Sequence, residues 1–212
     1  RDVAVTGVQT CALPICFGTT FGQDEILVKH IINRAGGLPG MYDDLIRVIT
    51  PRNEHTGPAI LQLARYGDVF LDSHFQDGGD GTAFEYELLY DLSATTGGPE
   101  GFKVPQESGV AGVGLADLGD DPENYRLNFI IKNNRDQDDY SHLIAALKAI
   151  SQPAGASFDT ATARTLDVDE WLRAYAVSAL VNPGDNYGGD GAQHNLMLYT
   201  RPADQKTLFF IW

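Results

Sequence analysis

The stretch that most constrains the fold runs from Asp167 to Trp212, DVDEWLRAYAVSALVNPGDNYGGDGAQHNLMLYTRPADQKTLFFIW. Trp171, Leu172, Tyr175, Ala176, Ala179 and Leu180 recur at helical spacing, which predicts a helix with these residues inward, capped by Asp167 or Asp169. Pro183 and Gly184 stop it. Leu196, Leu198 and Thr200, then Leu208 to Trp212, have the composition of two strands, with Arg201 to Gln205 as their turn. The loop between helix and strands therefore hangs Asp185, Asn186, Asp190, His194 and Asn195 from rigid flanks, a scaffold suited to chemistry or to a metal.

The run DVDEWLRAYAVSALVNPGDNY, then HNLMLY, then LFFIW resembles the C-terminal half of the spore coat protein H (CotH) kinase family. That family's pattern is a helix, an Asp-bearing loop, an HN…LY strand and a strand ending in Trp-Asp-x-Asp. The chain stops at Trp212, where the family's next residue is a metal-binding Asp. The resemblance spans about residues 21–212, close after Tyr125 and looser before it. It implies an α+β, atypical protein-kinase-like two-lobe fold, incomplete here because the first strands and the end of the metal-binding strand are missing.

The same resemblance implies an ATP-dependent Ser/Thr protein kinase with Mg²⁺ or Mn²⁺. Its partners would be ATP and protein substrates among secreted, cell-envelope or spore-coat proteins, and its place extracellular or in the envelope. The fragment itself is expected to be inactive, since a metal carboxylate lost removes charge neutralisation on the phosphates. By resemblance Asp185 is the catalytic Asp and Asn195 the metal-holding Asn, with His194 holding the loop. Asp190 competes with Asp185, because Asp190 and Asn195 stand five apart, the spacing of the Asp and Asn in a protein-kinase catalytic loop. The plainer alternative is that Asp185, Asn186, Asp190 and Gly191 only form turns.

Residues 1–16, RDVAVTGVQTCALPIC, match the translation of a sequencing adapter and are set aside from the fold as non-native. Cys11 and Cys16 go with them, so cysteine use tells nothing of the redox compartment. The domain is then expected over 17–212: an N-lobe remainder at about 17–92, a long loop at 93–123 and a C-lobe at 124–212. A net charge of −14 argues against a nucleic-acid partner, which needs clustered Lys and Arg. No run of eighteen apolar residues is present to span a membrane.

Ahead of the C-terminal stretch, the pattern predicts a helix over 24–35 with Ile26, Leu27 and Ile31 inward, and strands at 45–49 and 59–64. It predicts a short helix at 67–75, a turn at QDGGDG (76–81) and a half-buried alternating strand over 84–92. SGVAGVGLADLGD, from Ser108, has glycines like a phosphate-cradling loop, but no GK[ST] follows and a plain loop is the simpler reading. A strand at 126–131 and a helix at 140–151 behind Asp136 to Asp139 complete the pattern. A kinase also needs a cation on the phosphates held by an acid; Lys29, Lys103, Lys132 and Arg65 are candidates, with Glu25 for the acid, and the nucleotide-binding residues stay unknown. Two further functions remain open: an extracellular Ca²⁺-binding adhesive module built on DNYGGDG and QDGGDG, and a catalytically dead kinase-like scaffold.

Overall fold

A computed structural model describes residues 21–49, 51–52, 57–62, 64–90, 94–96, 102–104, 110–181, 187 and 195–211. Residues 1–16, with both cysteines, lie outside the described residues. The chain divides into two compact units, 1–65 and 66–212.

In the first unit α1 (Phe21–Ile32) is followed by the antiparallel pair β1 (Asp44–Val48) and β2 (Gly57–Gln62). Asn33 ties off the helix end. Its amide donates to Lys29 O and Met41 O, and its carboxamide oxygen accepts from Gly40 N–H at 3.1 Å. Gly40 is needed there, since a Cβ would sit 2.8 Å from Ile32 Cγ2. Among the described side chains of α1, Lys29 and Ile32 are buried, while Leu27 and Ile31 face outward at 55% and 37% exposure, against the expectation that they lie inward. The helix carries apolar residues on more than one stripe, so periodicity alone does not choose which stripe is covered.

The second unit is built on a four-stranded antiparallel sheet in the order β10-β9-β3-β8. β3 is Thr82–Tyr86, β8 Phe129–Ile131, β9 Leu196–Thr200 and β10 Thr207–Ile211. The register aligns Phe84 with Leu198 and Leu198 with Phe209 on one face, and Glu85 with Met197 and Met197 with Phe210 on the other. Both faces are covered. Trp171 and Tyr175 of α5 (Val168–Val181) pack on Phe209, with ring centroids 5.2 and 5.0 Å away, and Tyr140 packs on Phe84. Phe75, just past α2 (Asp68–His74), stacks on Phe210 on the opposite face. Hence Ala83 to Tyr86 are all buried, Glu85 included, where a half-buried strand was expected.

The expected strand over 84–92 is broken: β3 ends at Tyr86 and the short β4 (Leu89–Tyr90) follows. Asn128 holds the break, accepting from Glu87 N–H and donating to Glu87 O, both at 2.7 Å. Within 93–123 lie an antiparallel hairpin of β5 (Ala94–Thr96) and β6 (Phe102–Val104), and β7 (Val110–Ala111), which pairs with β4. α3 (Ser141–Ile150) starts where Asp139 accepts from Ser141 N–H at 2.8 Å, and buries Leu143, Ile144 and Leu147. α4 (Ala156–Thr165) leads into α5, whose first turn is capped by Asp167 accepting from Glu170 N–H.

The inward face of α5 is Glu170, Trp171, Ala174, Val177 and Ser178. Leu172 and Leu180, expected inward, are 65% and 85% exposed. The six residues picked by spacing span two adjoining stripes, and β10 takes only the one that contains Trp171. No helix among the described residues is long and apolar enough to cross a membrane.

Candidate functional site

Asp185, Asn186, Asp190 and His194 lie outside the described residues, as does Gly191. Their described neighbours are Val181 at the end of α5, Tyr187 and Asn195. Asn195 is buried, at φ 55°, in the left-handed region that Asn tolerates better than most residues. It immediately precedes Leu196, which pairs with both Tyr86 and Ile211. Asn195 therefore stands at the end of the sheet where β9 begins and β3 and β10 finish.

Tyr187 faces the same end. Its ring meets Tyr86 edge-on at 6.0 Å and Phe209 at 6.2 Å, and its hydroxyl accepts from Leu115 N–H at 3.1 Å. Burial pushes its phenol above the usual range. The neighbouring amide of Gly114 donates to Tyr86 Oη at 2.8 Å. Further along, Asp117 N–H donates to Ser151 Oγ and Leu118 N–H to Tyr125 Oη, both at 2.8 Å, and Gly119 N–H donates to the Asp117 carboxylate. The amides of Gly114, Leu115, Asp117, Leu118 and Gly119 are thus turned to hydroxyls and a carboxylate of the protein itself, as in a packed strap. Its glycines serve packing. A Cβ on Gly112 would lie 2.6 Å from Leu88 Cδ2 and from Tyr86 Oη, and Gly114 sits at φ 63°.

The candidate phosphate cations are placed differently. Lys132 forms an ion pair with Glu85 on the sheet. Its backbone N–H donates to Ala83 O, three residues along β3 from Tyr86, so it sits roughly 10 Å along the strand from the end that holds Asn195. Lys29 is buried in α1 of the other unit, and Arg65 is exposed. The side chains of Lys103 and Glu25 lie outside the described residues.

The QDGGDG turn folds as a 3-10 turn over Gly78–Asp80. Gly78 O accepts from Tyr199 Oη, and the amides of Asn133 and Asn134 converge on Gly79 O and Gly81 O. Asp72 accepts from Gly79 N–H at 2.7 Å. The backbone oxygens of Gly78, Gly79 and Gly81 and the Asp72 carboxylate are thus engaged with protein donors, which packs the turn onto the sheet. A cavity of about 240 Å³ lined by Gln76, Asp77, Asp80, Pro202 and Ala203 opens beside it, at the turn joining β9 to β10. That is the opposite end of the sheet from Asn195.

Two residues with roles here escape sequence reasoning. Tyr187 is legible only as an aromatic set among Asp, Asn and Gly. Glu170 is 2% exposed; Oε2 accepts from Phe209 N–H at 2.9 Å and Oε1 has no hydrogen-bond partner among the described residues. Burial, above all, pushes its carboxyl up to about 8, with the nearby Asp167 charge adding to the rise and Phe209 N–H, Arg173 and Arg201 opposing it. A signal existed, since 170, 174 and 177 share one helical stripe.

Among the described residues no group of three or more His, Cys, Asp or Glu side chains converges to hold a metal ion. Of the residues expected to hold a metal or act on the acceptor, only Asn195 is described; Asp185 and Asp190 are not. A family model described as "CotH kinase protein" matches residues 62–212, from the last residue of β2 through the whole sheet and α5. No curated protein matches the chain.

Proposed function

Since the chain belongs to the CotH kinase family, we propose that it serves ATP-dependent transfer of a phosphoryl group to Ser or Thr hydroxyls of secreted or cell-envelope proteins, spore-coat proteins among them. One observation carries the reading: the matched segment contains the Asp185 loop, preceded by α5, which packs one face on the sheet, and followed by the buried Asn195 at the start of the buried strand β9. Such flanks can hold a carboxylate and an amide to the tolerance that positioning catalysis needs.

On this reading Asp185 orients the acceptor hydroxyl and takes its proton, with Asp190 as the competing choice. Asn195 offers its amide oxygen to Mg²⁺ or Mn²⁺, with His194 and Asn186 shaping the loop around it. The bound cation would neutralise charge on the transferring phosphates. The sheet with α3 to α5 is then the larger part of a two-lobe kinase-like domain, and the phosphate-binding cation is sought outside Lys132. Secretion or envelope attachment follows from the family's substrates.

The test uses the open reading frame that contains this chain, read beyond both ends, and measures phosphate incorporation from ATP. Asp185→Asn is expected to cut it by on the order of a hundredfold while Mg²⁺-dependent ATP binding persists. Parental activity in Asp185→Asn would remove the residue from the role. ATP binding without any transfer in the parent would favour the dead scaffold.

A further inference from the structure

We propose that the solvent face of α5 is a docking surface for a second copy of this chain, met helix to helix in an antiparallel, two-fold pair. Val168, Leu172, Tyr175, Ala176, Ala179 and Leu180 are exposed, although the opposite side of α5, with Trp171 and Val177, is already buried. At 3.6 residues per turn the six fall within an arc of about 140°, a stripe as wide as one that normally faces a core. Leu172 and Leu180 stand out furthest, and Val168 and Tyr175 each keep more than a third of their surface in solvent. Their summed exposure is on the order of 500 Å², within the range where a contiguous apolar patch marks an interaction site.

The charge on this face says which partner fits. The chain carries a net charge of −14, yet the outward charges of α5 are one acid and one base, Asp169 and Arg173, joined at 2.9 Å. Two copies therefore meet here without setting carboxylates against carboxylates, whereas a basic partner is drawn to the acidic surface elsewhere. A two-fold axis level with Ala174, at mid-helix, sets Val168 against Leu180, Leu172 against Ala176 and Tyr175 against Arg173 of the other copy. Near the axis a large side chain thus meets a small one, and a guanidinium reaches an aromatic ring. The pair buries about 1,000 Å², the lower bound for a specific contact, which fits a dimer that forms and dissociates with concentration.

Analytical ultracentrifugation of this chain, and of the longer open reading frame that contains it, reads the pair directly. A monomer–dimer equilibrium with Kd on the order of tens of micromolar is expected in both. It should tighten at least about twofold from about 0.05 M to about 0.5 M NaCl, because salt screens two chains of like charge. Leu172→Glu and Leu180→Glu change exposed positions, so each should weaken the dimer at least about tenfold while the thermal midpoint stays within about 2 °C of the parent. Ala176→Leu tests the register: opposite Leu172 it overfills the contact and should weaken the dimer at least about threefold, whereas unspecific apolar association would tighten. A monomer at every concentration, association that salt weakens, a dimer indifferent to Leu172→Glu, or one that Ala176→Leu strengthens each overturns the inference. A longer reading frame that stays monomeric while the 212-residue chain pairs also overturns it, since the face then belongs to a contact within one polypeptide. None of these measurements reads phosphoryl transfer, so the surface stands or falls apart from the kinase reading.

Discussion

Glu170 is a carboxylic acid placed where water does not reach, and its protonation couples directly to folding. Its folded value of about 8 lies above the ordinary 4.5, so the native state binds this proton more tightly than the unfolded chain does. The sign follows: stability tied to Glu170 is fully present below about pH 4.5 and is lost as pH rises toward 8, by at most about 5 kcal/mol. Glu170→Gln keeps an acceptor for Phe209 N–H and cannot ionise. Urea unfolding at pH 5 and pH 8 should show the parent losing several kcal/mol relative to this variant; parallel curves would remove the buried acid from the balance. Glycine positions differ as sharply. A Cβ on Gly78 would lie 2.1 Å from Leu71 O, whereas nothing lies within 4 Å of one on Gly67. Gly78→Ala should cost more than about 2 kcal/mol in urea unfolding and Gly67→Ala under about 0.5.

At the scale of elements, the sheet manages its edges with side chains. On β10, Thr207 O accepts from Trp171 Nε1 and Asp167 N–H, Phe209 N–H donates to Glu170, and Ile211 O accepts from Tyr66 Oη. On β8, Phe129 O accepts from Tyr140 Oη and Ile131 O from Arg135 Nε. Strands so capped do not offer bare ladders to another chain. α5 is coupled to β10 through this cap and through one stripe only. Val177→Ala should therefore cost about 2 kcal/mol by thermal or urea unfolding, and Leu180→Gln less than about 0.5, although spacing alone placed Leu180, and not Val177, on the inward face.

At the scale of the molecule, the unit that begins at Tyr66 coincides closely with the family match that begins at Gln62. That unit holds its own two-faced core, from Phe84 and Leu143 to Phe210. A chain of residues 62–212 should accordingly unfold in one cooperative transition monitored by tryptophan fluorescence. A broad, non-cooperative melt would show that the first unit is needed to complete that core.

Helix and strand positions were largely legible along the chain, because caps and alternating residues act over a few neighbours: Asp139 before α3, Asp167 before α5 and the turn from Arg201 to Gln205 all lie where local chemistry puts them. The family resemblance was legible for the same reason, being a string of such signals around Asp185 and Asn195. Which side of a helix is covered was not, as Leu27, Leu172 and Leu180 show, since burial depends on which partner arrives. Nor could spacing reveal that a glycine-rich stretch seventy or so residues away hands its Leu115 amide to Tyr187, or that an acid, Glu170, closes a strand edge. Those contacts join residues far apart in sequence, and only the packing of sheet, helix and strap brings them within reach of a hydrogen bond.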